Sequence, residues 1–248
     1  MSGHSKWHSI KHKKAAVDAK RGQKFTKIIR EITTSARLGG GDADSNPRLR
    51  LAMLKAKSVN MPADNIDRAI KKGTGELEGV RYEENYYEGY GPGGTAILIN
   101  SISDNKNRTT AEIRSILSKH GGNLGENGCV SWMFSKKGVI LVNKQVIKED
   151  DLFNIVVDAG CEDLKSEEKY YEITIEPENF EAMKKKLDEN NIKYESAEIT
   201  MVPQNYIEMK EEKLAKQMAK LLMVLEEHDD VQNVYTNADI PDEAFEGL

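Results

Sequence analysis

Cysteine is scarce. The 248 residues contain only Cys129 and Cys161, too few for a disulfide framework and without the paired spacing of a zinc site. Long hydrophobic runs are missing too. The longest are "AILI" at 96–99, "VILV" at 139–142 and "LLMVL" at 221–225, far short of the roughly 18 residues that a membrane span requires. No apolar stretch follows the basic N-terminus, so it does not read as a secretory signal. No hydrolase or transferase constellation is visible. The two cysteines lack a local nucleophile motif and read as small buried apolar residues, and the carboxylates of "EDD", "SEE" and "EEHDD" read as helix caps and solvated faces. These absences predict a cytoplasmic, reduced chain with no membrane partner, no catalytic residue, no cofactor and no small-molecule substrate.

What is present is charge, unevenly spread. Residues 1–80 hold 17 Lys/Arg against 8 Asp/Glu, a net +9, whereas residues 81–248 hold 19 against 33, a net −14. The overall value of −5 hides a basic module joined to acidic ones, the asymmetry expected of a polyanion-binding domain carried on a scaffold that does not bind it. The densest part is "SKWHSIKHKKAAVDAKRGQKFTK" at 5–27. Across residues 6–30, Lys6, Lys11, Lys13, Lys14, Lys20, Arg21, Lys24, Lys27 and Arg30 are opposed only by Asp18. Such residues neutralise phosphates and release counterions, and six contacts would give a log–log salt slope of about −5. Trp7, His8 and His12 interleave with these cations as further nucleic-acid contacts; Trp7 either stacks on an unpaired base or packs the arm against the fold. His4, His8 and His12 are spaced by four, but with no helix signal and no Cys or acidic residue among them they favour hydrogen bonding over a metal.

The coarse elements follow from periodicity. Phe25, Ile28, Ile29, Ile32 and Ala36 recur at helical spacing from about Ala15 to Leu38, and Gly39–Gly41 ends that helix. Asn46-Pro47 opens a second helix; Pro62 opens a third, which Gly73 closes. The three should pack as a small bundle. Beyond Gly79, "YEENYYEGYG" and "TAILINSISD" read as strands around the turn "GPGG", "NRTTAEIRSILSKHGG" as a helix and "CVSWMF" as a strand. From about 136 to 203 the order is βαββαβ, a ferredoxin-like unit. The helix "EEKLAKQMAKLLMVLEEHDD" and the strand "VQNVYT" then complete what was left unfinished before 135. The fold class is therefore α+β, an N-terminal three-helix bundle with two ferredoxin-like α/β domains, one inserted in the other. The expected domains are 1–79 (basic, nucleic-acid-binding), 80–135 with 204–238 (discontinuous) and 136–203 (inserted). The acidic tail from Ala238 is expected to fray.

Two further motifs have plain explanations. "GYGPGGT" and "GGG" have no following Gly-Lys-Ser/Thr and read as a turn and a helix stop, not a phosphate loop. In "SDNKNRTT" at 103–110, Asn107, Thr109 or Thr110 would cap the next helix, while Lys106 and Arg108 at its N-terminus offer a second phosphate contact.

The blocks "MSGHSKWHSIKHKKAAVDAKRGQKFTKIIREI", "NPRLRLAMLKAKSVNMPADNIDRAIKKGTG", "YEGYGPGGTAILI", "SDNKNRTTAEIRSILSKHGG" and "VSWMF" closely resemble the YebC/PmpR family over essentially the whole chain. The resemblance implies a helical bundle and two α+β domains, one inserted in the other. It also implies a non-enzymatic regulator of gene expression: a DNA-binding transcriptional regulator in the usual bacterial description, or a translation factor associated with the ribosome or its RNA, since the mitochondrial relatives are translational activators of a cytochrome oxidase subunit and some bacterial ones resemble factors that relieve stalling at proline runs. The sequence carries no signal for an oligomeric state.

Overall fold

The structure is a computed structural model and describes residues 21–246. Three helices come first: α1 (Arg21–Gly39), α2 (Pro47–Ser58) and α3 (Ala63–Thr74). Ile28, Ile32 and Ala36 form a buried stripe on α1 against Leu49, Ala52 and Ala56 of α2 and Ile66 and Ala69 of α3. The two short helices each make their main contacts with α1. Asn46 caps α2, its Oδ1 accepting from the Leu49 N–H at 3.1 Å, and its Nδ2 donates to the carbonyls of Ser35 (2.9 Å) and Gly40 (2.8 Å) at the end of α1. Helix α3 does not stop at Gly73. It runs on to Thr74 and ends at Gly75, in the left-handed region at φ 85°. Gly73 is instead where α3 crosses α1: a Cβ there would lie 2.4 Å from the Thr33 carbonyl oxygen and 2.7 Å from the Ala36 Cβ.

Strands β1 (Glu83–Tyr90) and β2 (Ala96–Ser103), helix α4 (Lys106–Lys119) and the short β3 (Asn123–Leu124) follow. The chain then leaves this layer to build β4 (Phe134–Asn143), α5 (Glu149–Val156), β5 (Cys161–Ser166), β6 (Tyr170–Ile175), α6 (Phe180–Glu189) and β7 (Ser196–Pro203). It returns through β8 (Ile207–Glu208), α7 (Glu212–Glu227), β9 (Val231–Thr236) and β10 (Ala238–Asp239). The first sheet has the order β3-β1-β2-β9 and the second β5-β6-β4-β7, with antiparallel neighbours throughout. The second sheet has the strand order of a ferredoxin-like βαββαβ unit, and α5 and α6 cover the face bearing Ile140, Val142, Ile173 and Ile175. In the first, Ile97 and Ile99 of β2 pack under α4 and α7 through Ile113, Leu117, Met218 and Leu222.

Two expectations fail here. "CVSWMF" is no strand: Ser131–Met133 form a single 3-10 turn, β4 starts at Phe134, and the strand that closes the first sheet is β3. The reason is Glu88, whose carboxylate takes the N–H groups of Gly128, Val130 and Ser131 and so withdraws them from any ladder. The tail does not fray at Ala238. β10 pairs with β8, a 3-10 turn spans Asp242–Phe245, and Ala238, Ile240, Ala244 and Phe245 are buried in the core shared with α7.

Candidate nucleic-acid interface

Helix α1 carries the described part of the basic stretch. Its apolar stripe faces the bundle, which leaves Lys24, Lys27 and Arg30 along one half-buried flank. That flank meets the C-terminal end of α7, where the last carbonyls of a helix lack intrahelical donors and carry partial negative charge. Lys27 Nζ donates to the Glu226 carbonyl at 2.5 Å and Gln23 Nε2 to that of Glu227 at 3.4 Å. Arg30 reaches one residue pair further. Its guanidinium donates to the carbonyls of Asp229 (2.9 Å) and Ile102 (3.2 Å), pairs with the Asp230 carboxylate, and lies over the Tyr82 ring at 5.4 Å.

Asp230 is the hub. Its side chain is 3% exposed and also accepts from Arg108 Nη2 (2.8 Å), Thr109 Oγ1 (2.5 Å) and Ser103 Oγ (3.0 Å). Burial alone would raise the pKa of this carboxyl; the bonds from Thr109, Arg108 and Arg30 outweigh it and hold the group well below the usual carboxylate range. Arg108 also donates to Asp104 at 2.8 Å. A second clamp starts from the next residue of α1 and the strand position paired with Ile102. Arg48 of α2 spans Glu31 of α1 (2.7 and 3.1 Å) and Glu84 of β1 (2.8 and 3.2 Å), and Glu84 accepts from Asn100 as well. The bundle is thus bolted to the first sheet at two points.

Between α1 and α4 lies an open groove of about 610 Å³. Its cations Arg30, Arg108 and Lys119 face Glu112, Glu227, Asp229 and Asp230, so it is not an anion pocket. Glu112, His228 and Asp230 come close enough together to suggest a metal, but their bonds are already committed. His228 Nδ1 accepts the Asp230 N–H at 3.1 Å, which puts the ring proton on Nε2, 2.9 Å from Glu112. No ring lone pair is left to face an ion, and both Asp230 oxygens serve the two arginines.

Of the residues singled out from sequence, Lys6, Trp7, His8, Lys11, His12, Lys13, Lys14 and Lys20 lie outside the described residues. Arg21 opens α1 and Lys24 is half-buried beside it. Lys27, Arg30 and Arg108 have internal partners. Lys106 is exposed in the first turn of α4, whose cap is Asn105, accepting from the Arg108 N–H at 3.1 Å, and not Asn107, Thr109 or Thr110. Sequence reasoning passed over the cations on the outer faces of α2 and α3: Lys57, Arg68, Lys71 and Lys72 are all exposed. Helical spacing could have found them, since they fall opposite the stripe of Ala52, Ala56, Ile66 and Ala69.

Two family models together match nearly the whole chain: the TACO1/YebC protein N-terminal domain over residues 5–76, and the TACO1/YebC second and third domain over residues 82–238. A "Probable transcriptional regulatory protein" of Syntrophobacter fumaroxidans is 58% identical over 248 residues, covering 100% of both chains. A protein of the same name from Desulfosudis oleivorans is 57% identical over 246 residues, 99% of this chain and 100% of that one. The crystal structure of a conserved hypothetical protein from Aquifex aeolicus superposes with a TM-score of 0.80 at 46% identity, covering 92% of this chain and 94% of that one.

Proposed function

The chain belongs to the TACO1/YebC family, and from that premise we propose that it is a non-enzymatic regulator of gene expression that binds nucleic acid through its N-terminal domain. The observation that carries this reading is the charge division, +9 over residues 1–80 against −14 over the rest. Lys6, Lys11, Lys13, Lys14 and Lys20 precede α1 as the main phosphate contacts, joined by Arg21, Lys24 and the exposed cations of α2 and α3. Lys27, Arg30 and Arg108 act one step back, holding α1 at a fixed attitude on the acidic scaffold. Over most of its surface that scaffold's net negative charge disfavours the phosphate backbone.

The names of the relatives favour a role in transcription, and binding to duplex DNA is the reading that comes first. One observation favours RNA or the ribosome instead. Helices α2 and α3 each make their main contacts with α1, unlike a helix-turn-helix, whose paired helices pack on one another and present the second one to base edges. Recognition by charge and shape, as for structured RNA, does not need that pairing.

The test uses the full chain and the triple substitution Lys11→Glu, Lys13→Glu, Lys14→Glu. Both are run on a sucrose gradient with ribosomes at near-physiological salt and titrated against duplex DNA. Wild type should bind one of the two with a log–log salt slope of about −5 if six phosphates are contacted, and the triple variant should fold but not bind. Undiminished binding by the triple variant would remove these lysines from the interface.

A further inference from the structure

Residues 125–133 connect β3 to β4. Val130 and Phe134 are buried against Ala96 and Leu98, joining the first sheet to the inserted domain. Between them Trp132 is turned outward and 63% exposed. The backbone around it is pinned. Glu88, buried on β1, accepts from the N–H groups of Gly128 (2.7 Å), Val130 (2.8 Å) and Ser131 (2.7 Å). The Tyr90 hydroxyl donates to the Cys129 carbonyl at 3.2 Å. On the far side Gln204 holds the Met133 carbonyl with its N–H (2.9 Å) and the Trp132 carbonyl with its side-chain amide (3.3 Å). The indole Nε1–H donates to the Cys129 carbonyl at 3.2 Å. The ring therefore has its one hydrogen bond satisfied within its own loop, and what it offers to solvent is a flat π face. A tryptophan left in water forgoes a large apolar burial, and one held by a buried carboxylate can engage a ligand with little further ordering.

We propose that Trp132 is a fixed stacking platform for an unpaired nucleobase, so that the nucleic acid this protein recognises includes a single-stranded or looped segment. This rests on the nucleic-acid reading above and narrows it. Stacking needs one flat ring and tolerates any base, since every base has a π face. An indole whose N–H is already bonded contributes stacking rather than edge recognition. A paired base inside a duplex cannot serve, because both of its faces are covered by its neighbours.

The experiment is done in a Trp7→Phe background, where Trp132 is the only tryptophan. The protein is titrated with single-stranded polyuridine RNA of about 12 nucleotides, within the usual span of such sites, and separately with a perfect duplex. The expected result is quenching of Trp132 emission by the single strand. Trp132→Ala should weaken single-strand binding roughly 5- to 150-fold and leave duplex binding unchanged, while Trp132→Phe, which keeps a ring, retains most of the affinity. Single-strand affinity untouched by Trp132→Ala, or equal loss on both ligands, would overturn the platform while leaving the nucleic-acid reading in place. Wild type that binds neither ligand would remove that reading, and the platform with it; wild type that binds the single strand where Trp7→Phe does not would place the stacking at Trp7 and overturn the platform.

Discussion

Asp230 ties the bundle and α4 to its own segment by receiving Arg30 from the first and Arg108 and the Thr109 hydroxyl from the second. Removing the charge leaves a 12% exposed arginine facing a neutral amide, a change that costs about 3 kcal/mol when the partner is buried. Asp230→Asn should therefore lower the unfolding free energy by about that amount in urea melts at neutral pH. The pH dependence has a fixed sign. The carboxyl is held below its ordinary pKa in the folded state, so its contribution is present above the carboxylate range and is lost as the pH falls through and below it. Wild type and Asp230→Asn should differ most at neutral pH and converge in acid. A constant difference across that range would show that the lost packing, and not the charge, matters. None of this was legible in the sequence. Arg30 and Lys27 read as surface cations because their partners, Asp230 and the Glu226 carbonyl, lie about 200 residues further on, and no local pattern announces a contact at that separation.

Most elements were legible because their causes are local. The stripe of Ile28, Ile32 and Ala36, the cap at Asn46 and the alternation along β1 and β2 are each written within one or two turns of chain. The misread elements have causes elsewhere. Residues 129–133 carry a strand-like composition, but the N–H groups of Val130 and Ser131 belong to a glutamate some 40 residues upstream. The tail reads as acidic and frayed, yet its few apolar residues are caught by α7. Phe245 is 7% exposed in that core, so Phe245→Ala should destabilise the protein by about 3 kcal/mol, as large-to-small core changes do. A melting temperature unchanged in Phe245→Ala would show that the tail adds nothing to the core.

At the level of the whole molecule the insertion was readable from a complete βαββαβ set flanked by two incomplete halves. Its entry and exit are neighbours: Phe134 pairs with Pro203 and Ser135 with Val202 at the shared end of β4 and β7, where paired Cα atoms stand about 5 Å apart. Replacing residues 136–201 with a short Gly-Asn turn should leave the first sheet and the bundle folded, checked by retained cooperative melting and by nucleic-acid affinity within a few-fold of the parent. Loss of the cooperative transition would mean that the inserted domain holds the first sheet together through Met201 and its neighbours. The docking of α1 on the end of α7 has a consequence in time. Helix α1 leaves the ribosome some 200 residues before Glu226 and Asp230 do, an interval of about 10–40 s at ordinary elongation rates. Throughout that interval the basic helix is made but its seat is not, so each nascent chain carries an undocked cationic N-terminus beside the ribosome that is synthesising it.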